Sequence, residues 1–194
     1  MTLRRLDIRQ APPRPWKNGA GITRELAVAP AGAGLDDFAW RISCAQVDAG
    51  GPFSRFAGVD RSLAVLEGHG LRLRLAGREH RLGACQPPLA FAGEDEASAE
   101  LLDGPVGDLN VMTRRDAWRH RLQHLHLCGT QRPELIADLL FIYCRHGDLQ
   151  LRWPERTLEI GPGQGLLLED EPPPEALHSA SGACLYIACL QRLA

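Results

Sequence analysis

Apolar and polar residues alternate along much of this chain, in short runs bounded by glycine and proline, which is the pattern of half-buried β-strands. Over residues 22–28, Ile22, Arg24, Leu26 and Val28 fall on one face, and Thr23, Glu25 and Ala27 on the other. Over residues 38–47, Phe38, Trp40, Ile42 and Cys44 oppose Ala39, Arg41, Ser43, Ala45 and Val47. A Gly/Ala/Pro-rich loop, residues 29–37, separates the two strands. A helical pattern is confined to residues 133–140, where Pro133 suits a first helical turn.

The pattern also repeats. Leu63-Ala64-Val65-Leu66 runs through Glu67-Gly68-His69-Gly70 into Leu71-Arg72-Leu73-Arg74-Leu75. The second copy, 77 residues on, takes Leu140-Phe141-Ile142-Tyr143-Cys144 through Arg145-His146-Gly147-Asp148 into Leu149-Gln150-Leu151-Arg152. Each reads as a strand, a tight His-Gly turn and an alternating strand, and each copy ends in a last strand, residues 107–113 or 183–190. Two copies of a unit of roughly six to eight strands predict paired antiparallel barrels or sandwiches. The expected fold is therefore all-β with little helix. Its N-terminal half covers about residues 1–115, its C-terminal half about 116–194, and residues 118–132 form the bridge.

Composition adjusts this picture in a few places. At 194 residues and 44% hydrophobic, the chain suits one large or two small domains with a substantial core. The 20 Gly and 14 Pro residues favour turns, whereas 30 Leu against 13 Val and Ile would not by themselves indicate strands. A net charge of −2 argues against a nucleic-acid partner, and Arg114-Arg115 and Arg72/Arg74 read as solvated faces. No apolar run approaches the roughly 18 residues of a membrane span. Residues 1–10 carry four charges and no apolar stretch, so the expected location is the cytoplasm. Six cysteines without a Cys-x-x-Cys pair read as free, buried thiols of a reducing compartment. Of the 22 basic residues only Lys17 is lysine. Either arginine-biased codon usage left it by chance, or a guanidinium does not replace the ammonium there.

Lys17 lies in the densest polar stretch, residues 16–25, which offers an ammonium, an amide, a hydroxyl, a guanidinium and a carboxylate from Lys17, Asn18, Thr23, Arg24 and Glu25. With Gly19 and Gly21 allowing close backbone approach, that inventory suits a small, anionic, hydrogen-bonding metabolite. It suits a surface loop with one rim ion pair equally well. Arg41 and Ser43 share a face with Ala39 and Ala45, and a cation among small residues lines a cavity. Such an Arg needs an anion, from a ligand or from Glu25 or Asp60. Asp60-Arg61 ends a turn-rich stretch, where Asp60 caps a turn or pairs with Arg61. Asn110, out of phase with Leu109 and Val111, points into the same interior. His120, His124 and His126 are metal ligands by type, but a flat strand spreads them too widely to converge without a partner strand. Neither a phosphate loop nor a nucleophile elbow occurs.

Three stretches then carry a resemblance: Trp16-Lys17-Asn18-Gly19-x-Gly21-x-Thr23-Arg24-Glu25, Phe38-x-Trp40-Arg41-x-Ser43-x-Ala45, and Gly51-Pro52-Phe53-Ser54-x-Phe56-x-Gly58-x-Asp60-Arg61. With Leu66-Glu67-Gly68 and Asp108-Leu109-Asn110-Val111-Met112, the chain resembles the HutD/Ves family over essentially its whole length, with Ala20 where Gly is usual. The resemblance implies a double-cupin (bicupin) jelly-roll barrel, a cytoplasmic location and an association with histidine utilisation, regulatory or ligand-binding more than catalytic. Urocanate and N-formylglutamate are the natural ligand candidates. Where a metal-binding cupin carries His-x-His and Glu, this chain reads Phe53-Ser54-Arg55-Phe56, so no metal or other cofactor is expected. Cupin barrels often pair through an outer sheet, which makes a homodimer the expected assembly. The reading is a metal-free bicupin binding a small carboxylate through Lys17, Asn18, Thr23, Arg24, Glu25, Arg41, Ser43, Asp60, Arg61 and Asn110. The alternative is a cofactor-independent enzyme with Lys17 and Glu25 as acid and base.

Overall fold

The structure, a computed structural model, describes residues 2–16 and 18–193. The strands are β1 (Thr2–Asp7), β2 (Pro13–Pro15), β3 (Gly21–Ala29), β4 (Trp40–Val47), β5 (Gly51–Pro52) and β6 (Val59–Glu67). There follow β7 (Leu71–Leu75), β8 (Arg78–Leu82), β9 (Leu89–Ala92), β10 (Ala97–Leu101), β11 (Val106–Arg114) and β12 (Trp118–Gln131). The last are β13 (Leu139–His146), β14 (Leu149–Arg152), β15 (Thr157–Ile160), β16 (Gln164–Glu169) and β17 (Ala176–Arg192). No helix occurs among the described residues, and none is therefore long and apolar enough to cross a membrane.

The chain divides into two compact units, residues 11–120 with 193–194, and residues 1–10 with 121–192. The first holds a six-stranded sheet in the order β2-β3-β4-β11-β6-β9 and a four-stranded sheet in the order β5-β10-β7-β8. Leu63 and Val65 of the larger sheet pack with Leu71, Leu73 and Leu75 of the smaller in one apolar cluster. The outward face of the smaller sheet carries Arg72 in ion pairs with Glu79 (3.1 Å) and Glu100 (3.1 Å), a solvated face as expected.

In the second unit, β17 pairs with β14 through Ala176–His178 and with β13 through Cys184–Leu190. Changing partners along one strand curls the sheet around an interior of Leu127, Ile142, Leu151, Leu166, Leu177 and Leu185. β1 pairs with β16, so the opening residues complete this unit rather than the one that follows them. The middles of β13 and β17 are buried on both faces, which is why they read as continuous apolar runs rather than alternating ones.

Three details differ from the pattern reading. Residues 132–138 form no helix: Leu135 is buried while Ile136 stands 63% exposed, and the Asp138 N–H donates to the Leu190 carbonyl at the start of β13. One apolar turn cannot nucleate a helix against that sheet pairing. A β-bulge between Glu25 and Ala27 shifts the phase of β3, so Val28 pairs with Arg41 and joins the face of Thr23 and Glu25. Of the cysteines, Cys44, Cys144 and Cys184 are buried and in no disulfide, whereas Cys85 and Cys128 are exposed.

The repeated His-Gly turns are not hairpins. β6 and β7 belong to different sheets, and β13 and β14 are not neighbours but flank β17. The first turn carries the chain from one sheet to the other beside the backbone entering β11, and the second carries it across β17 within one sheet. Gly68 (φ +86) abuts the Pro105 carbonyl and Gly147 (φ +85) abuts the Gly182 carbonyl, so a Cβ has no place at either. Gly147→Ala is expected to lower stability in urea unfolding by more than about 2 kcal/mol. Gly104→Ala, at φ +66 in open space, should cost only about 1 kcal/mol.

Candidate ligand-binding site

The polar stretch 16–25 is chiefly a scaffold. Asn18 is exposed in the turn between β2 and β3, where its Oδ1 accepts the Ala20 N–H at 3.1 Å. The Trp16 indole N–H donates to Thr23 Oγ1 at 2.7 Å. Gly19 takes φ +70, and Gly21 passes so close to the Gln46 carbonyl that a side chain would collide with it. Lys17 lies outside the described residues.

The inward face of the six-stranded sheet carries a row of polar groups set by strand register. Glu25 pairs with Ser43, Ser43 with Asn110, and Arg41 with Met112, which in turn pairs with Arg61. Pairs directly opposite share a face, so Thr23, Glu25, Arg41, Ser43, Asp108, Asn110 and Arg61 all point the same way. Within the row Arg41 Nε donates to Glu25 Oε2 at 2.9 Å and Arg41 Nη1 to Ser43 Oγ at 3.2 Å. The anion that Arg41 needs is thus Glu25, which binds it in a structural ion pair.

Arg61 is different. It is 7% exposed and has no carboxylate in contact among the described residues. Its Nη1 donates to the Ser54 carbonyl at 3.2 Å and its Nη2 to Asn110 Oδ1 at 3.0 Å. Phe53, Phe56 and Phe91 surround the guanidinium with ring centres 5.4, 5.5 and 5.1 Å from Cζ. The stretch 53–56 therefore folds back to wrap a cation seven residues later on β6. Arg61 Nε is buried and unpaired, one of two such side-chain atoms among the described residues, the other being Ser179 Oγ. Burial pulls the guanidinium down to about 10, so it stays charged at neutral pH.

Beyond Asn110 sits Asp108, 2% exposed, whose Oδ1 accepts the Asn110 Nδ2–H at 3.0 Å. Burial pushes its carboxyl up to about 7, against the pull of Asn110, Arg61 and the Ala45 N–H. Asp108 was missed as a site residue, although its even spacing from Asn110 on a strand is the signal that places both on one face.

A family model described as HutD matches residues 8–186. The chain belongs to the HutD family. It is 34% identical over 157 residues to the "uncharacterized 21.2 kDa protein in hutC 3′ region" of Pseudomonas putida, covering 81% of each chain. It is 40% identical over 119 residues to protein Ves of Citrobacter koseri, spanning 60% of this chain and 61% of that one. Among solved structures, a conserved protein of unknown function from Pseudomonas aeruginosa PAO1 matches with TM-score 0.90 and 34% identity, covering 98% of this chain and all (100%) of the other. HutD from Pseudomonas fluorescens SBW25, described as a formate condition, matches at 0.82 and 28% over 100% of both chains. A cupin 2 barrel protein of Leptotrichia buccalis, at 9% identity and TM-score 0.62 over 96% of this chain and 95% of that one, places the fold among the cupins.

Two residues expected in the site are not on the inward face of this HutD-family sheet. Arg24 pairs in register with Cys44 on the opposite face and donates from Nη1 to the Ala11 carbonyl at 2.6 Å. Asp60 pairs with Thr113, also on the opposite face, and holds Arg115 at 2.8 Å rather than Arg61. Adjacent residues on a strand point to opposite faces, which rules out an Asp60–Arg61 pair here. Arg114 and Arg115 are correspondingly not free surface charges. Arg114 donates to the carbonyls of Asp36, Phe38 and Ala57, and Arg115 binds Asp60 and Glu94.

The histidines are engaged separately. His120 Nδ1 lies 2.7 Å from Thr113 Oγ1 and its Nε2 2.9 Å from Ser62 Oγ, so both ring nitrogens are occupied by hydroxyls. His124 Nε2 faces Cys184 Sγ at 3.3 Å, and His126 is exposed. Burial draws His120 down to about 4, with Asp60 opposing. A histidine harder to protonate when folded stabilises the protein fully above its unfolded value near 6.5, and that contribution is lost as pH falls towards about 4. Urea unfolding of wild type should show about 3 kcal/mol lost over that interval from this group, and His120→Gln should flatten it.

Proposed function

We propose that this HutD-family protein binds a small carboxylate metabolite at the inward face of the six-stranded sheet and serves an accessory or regulatory role in histidine utilisation. Arg61 receives the carboxylate through its unpaired Nε edge. Arg41, Ser43 and Asn110 line the approach, and Thr23 with Glu25 lie at its more exposed end. Asn18 belongs to the adjoining turn. The observation that carries this reading is Arg61: a buried guanidinium, solvated by π-faces, one carbonyl and one amide oxygen, with an N–H left over and no anion of its own. Taking a cation out of water without a counter-ion costs several kcal/mol, and an arriving carboxylate offsets that cost. Supporting it are the hutC-region relative and the relative solved in a formate condition, formate being a bare carboxylate. Urocanate and N-formylglutamate are the candidate ligands.

Thermal-shift and calorimetric titration with both compounds at up to millimolar concentration test this reading. At least one should raise the melting temperature and bind. A charge-assisted contact is worth about 1.5–3 kcal/mol, so Arg61→Met should weaken binding by roughly ten- to 150-fold. Met replaces a buried charge by apolar volume, so the variant should keep its fold. Lys17→Arg should also weaken binding although the charge is kept. Failure of both compounds to bind would overturn the assignment.

A further inference from the structure

We propose that Asp108 is the proton acceptor of this site: when a carboxylate takes the unpaired Nε of Arg61, one proton enters from solvent and settles on the Asp108 carboxyl. The inference rests on the carboxylate-binding reading and adds the linkage that governs it.

The geometry is that of a relay through one fixed amide. Asn110 Oδ1 accepts from Arg61 and its Nδ2 donates to Asp108, so the amide orientation is set by the guanidinium at one end and the carboxyl at the other. Among the described residues Asp108 has no cation in contact, its partners being the Asn110 amide and the Ala45 N–H. Protonation leaves both contacts intact, because the neutral carboxyl still accepts on its carbonyl oxygen. The amide therefore need not turn when the proton arrives.

The charges around Asp108 make proton uptake the favourable response. On β6, Arg61 lies on the same face, with Glu67 beyond Val65 at the bulge. Arg41 stands on β4, already neutralised by Glu25 on β3. The Cys44 thiol, on the other face, is held neutral by burial and by Asp108 and Glu67. Across the sandwich β7 presents Leu71, Leu73 and Leu75, and the titratable and charged groups in register with them are His80 and Arg78 on edge strand β8. Arg61 is thus the cation that the Asp108 carboxylate feels most directly, as its effect on that carboxyl shows. A ligand carboxylate on Arg61 takes that cation away and adds a like charge to the same buried face, and both changes favour the neutral acid. The carboxyl starts at about 7, so the empty site is half-protonated near neutrality and the occupied site fully so.

Calorimetry of the whole protein with N-formylglutamate and with formate tests this between pH 6 and 8.5, a range in which neither probe titrates. Running each pH in phosphate and in Tris, which differ in ionisation enthalpy, reads the protons taken up. About one proton should enter per ligand near pH 8, falling towards none at pH 6. The dissociation constant should rise about tenfold per pH unit above about pH 7. In Asp108→Asn, a neutral isostere, uptake should vanish and affinity should no longer change with pH. Binding without uptake, or uptake that persists in Asp108→Asn, overturns the inference while the carboxylate reading stands. If neither probe binds at any pH, and urocanate does not bind either, both fall. Should Asp108→Asn fail to fold, infrared difference spectra of wild type with ¹³C-labelled aspartate carboxyls decide: a protonated-carboxyl band that grows on binding supports the inference, and its absence overturns it.

Discussion

A guanidinium carried into the interior of a β-sandwich has to be solvated by the protein itself, and the inward face of the six-stranded sheet is organised around that requirement at Arg61. The stretch after β5 turns back so that Phe53 and Phe56 cover the cation and Ser54 lends its carbonyl, while β9 brings Phe91. Asn110 must turn its oxygen towards Arg61, which turns its N–H towards Asp108. The second unit shows the alternative solution: with leucine and isoleucine filling its interior it has no buried charge to satisfy, and it is closed by packing alone. One unit is built to hold something polar and the other to hold together.

Much of this arrangement was legible in the residues before any coordinates. Alternation in residues 38–47 places Arg41 and Ser43 on one face, and the phase of Asn110 brings it to them, because side-chain direction on a strand follows from counting alone. What counting could not supply is register. The bulge at residues 25–27 reverses the phase of β3 half-way along, and nothing in Glu25-Leu26-Ala27 announces it. Asp60 and Arg61 look like an ion pair as neighbours in sequence and are separated by the plane of the sheet as neighbours on a strand. The repeated His-Gly turns look like hairpins because a crossing to a non-adjacent strand and a two-strand turn need the same glycines.

The family wording itself becomes readable in physical terms. In the densest polar stretch Asn18 holds the hairpin backbone through the Ala20 N–H, and Thr23 holds the Trp16 indole. The phenylalanines of residues 53–56, which read as ordinary apolar turn residues, form the lining of a cation site.

The pairing of β1 with β16 has a consequence for how the molecule is made. Thr2 meets Glu169 across the ladder, so the strand that leaves the ribosome early waits for a partner synthesised much later. The unit formed by residues 11–120 can collapse during that interval, whereas the other stays open along the β1 edge until β16 has been made. Until then β1 is an unpaired strand carrying Arg4 and Arg5, and two adjacent positive charges on it discourage edge-to-edge association with another nascent copy. The two arginines of β1 thus protect an edge until β16 arrives to cover it.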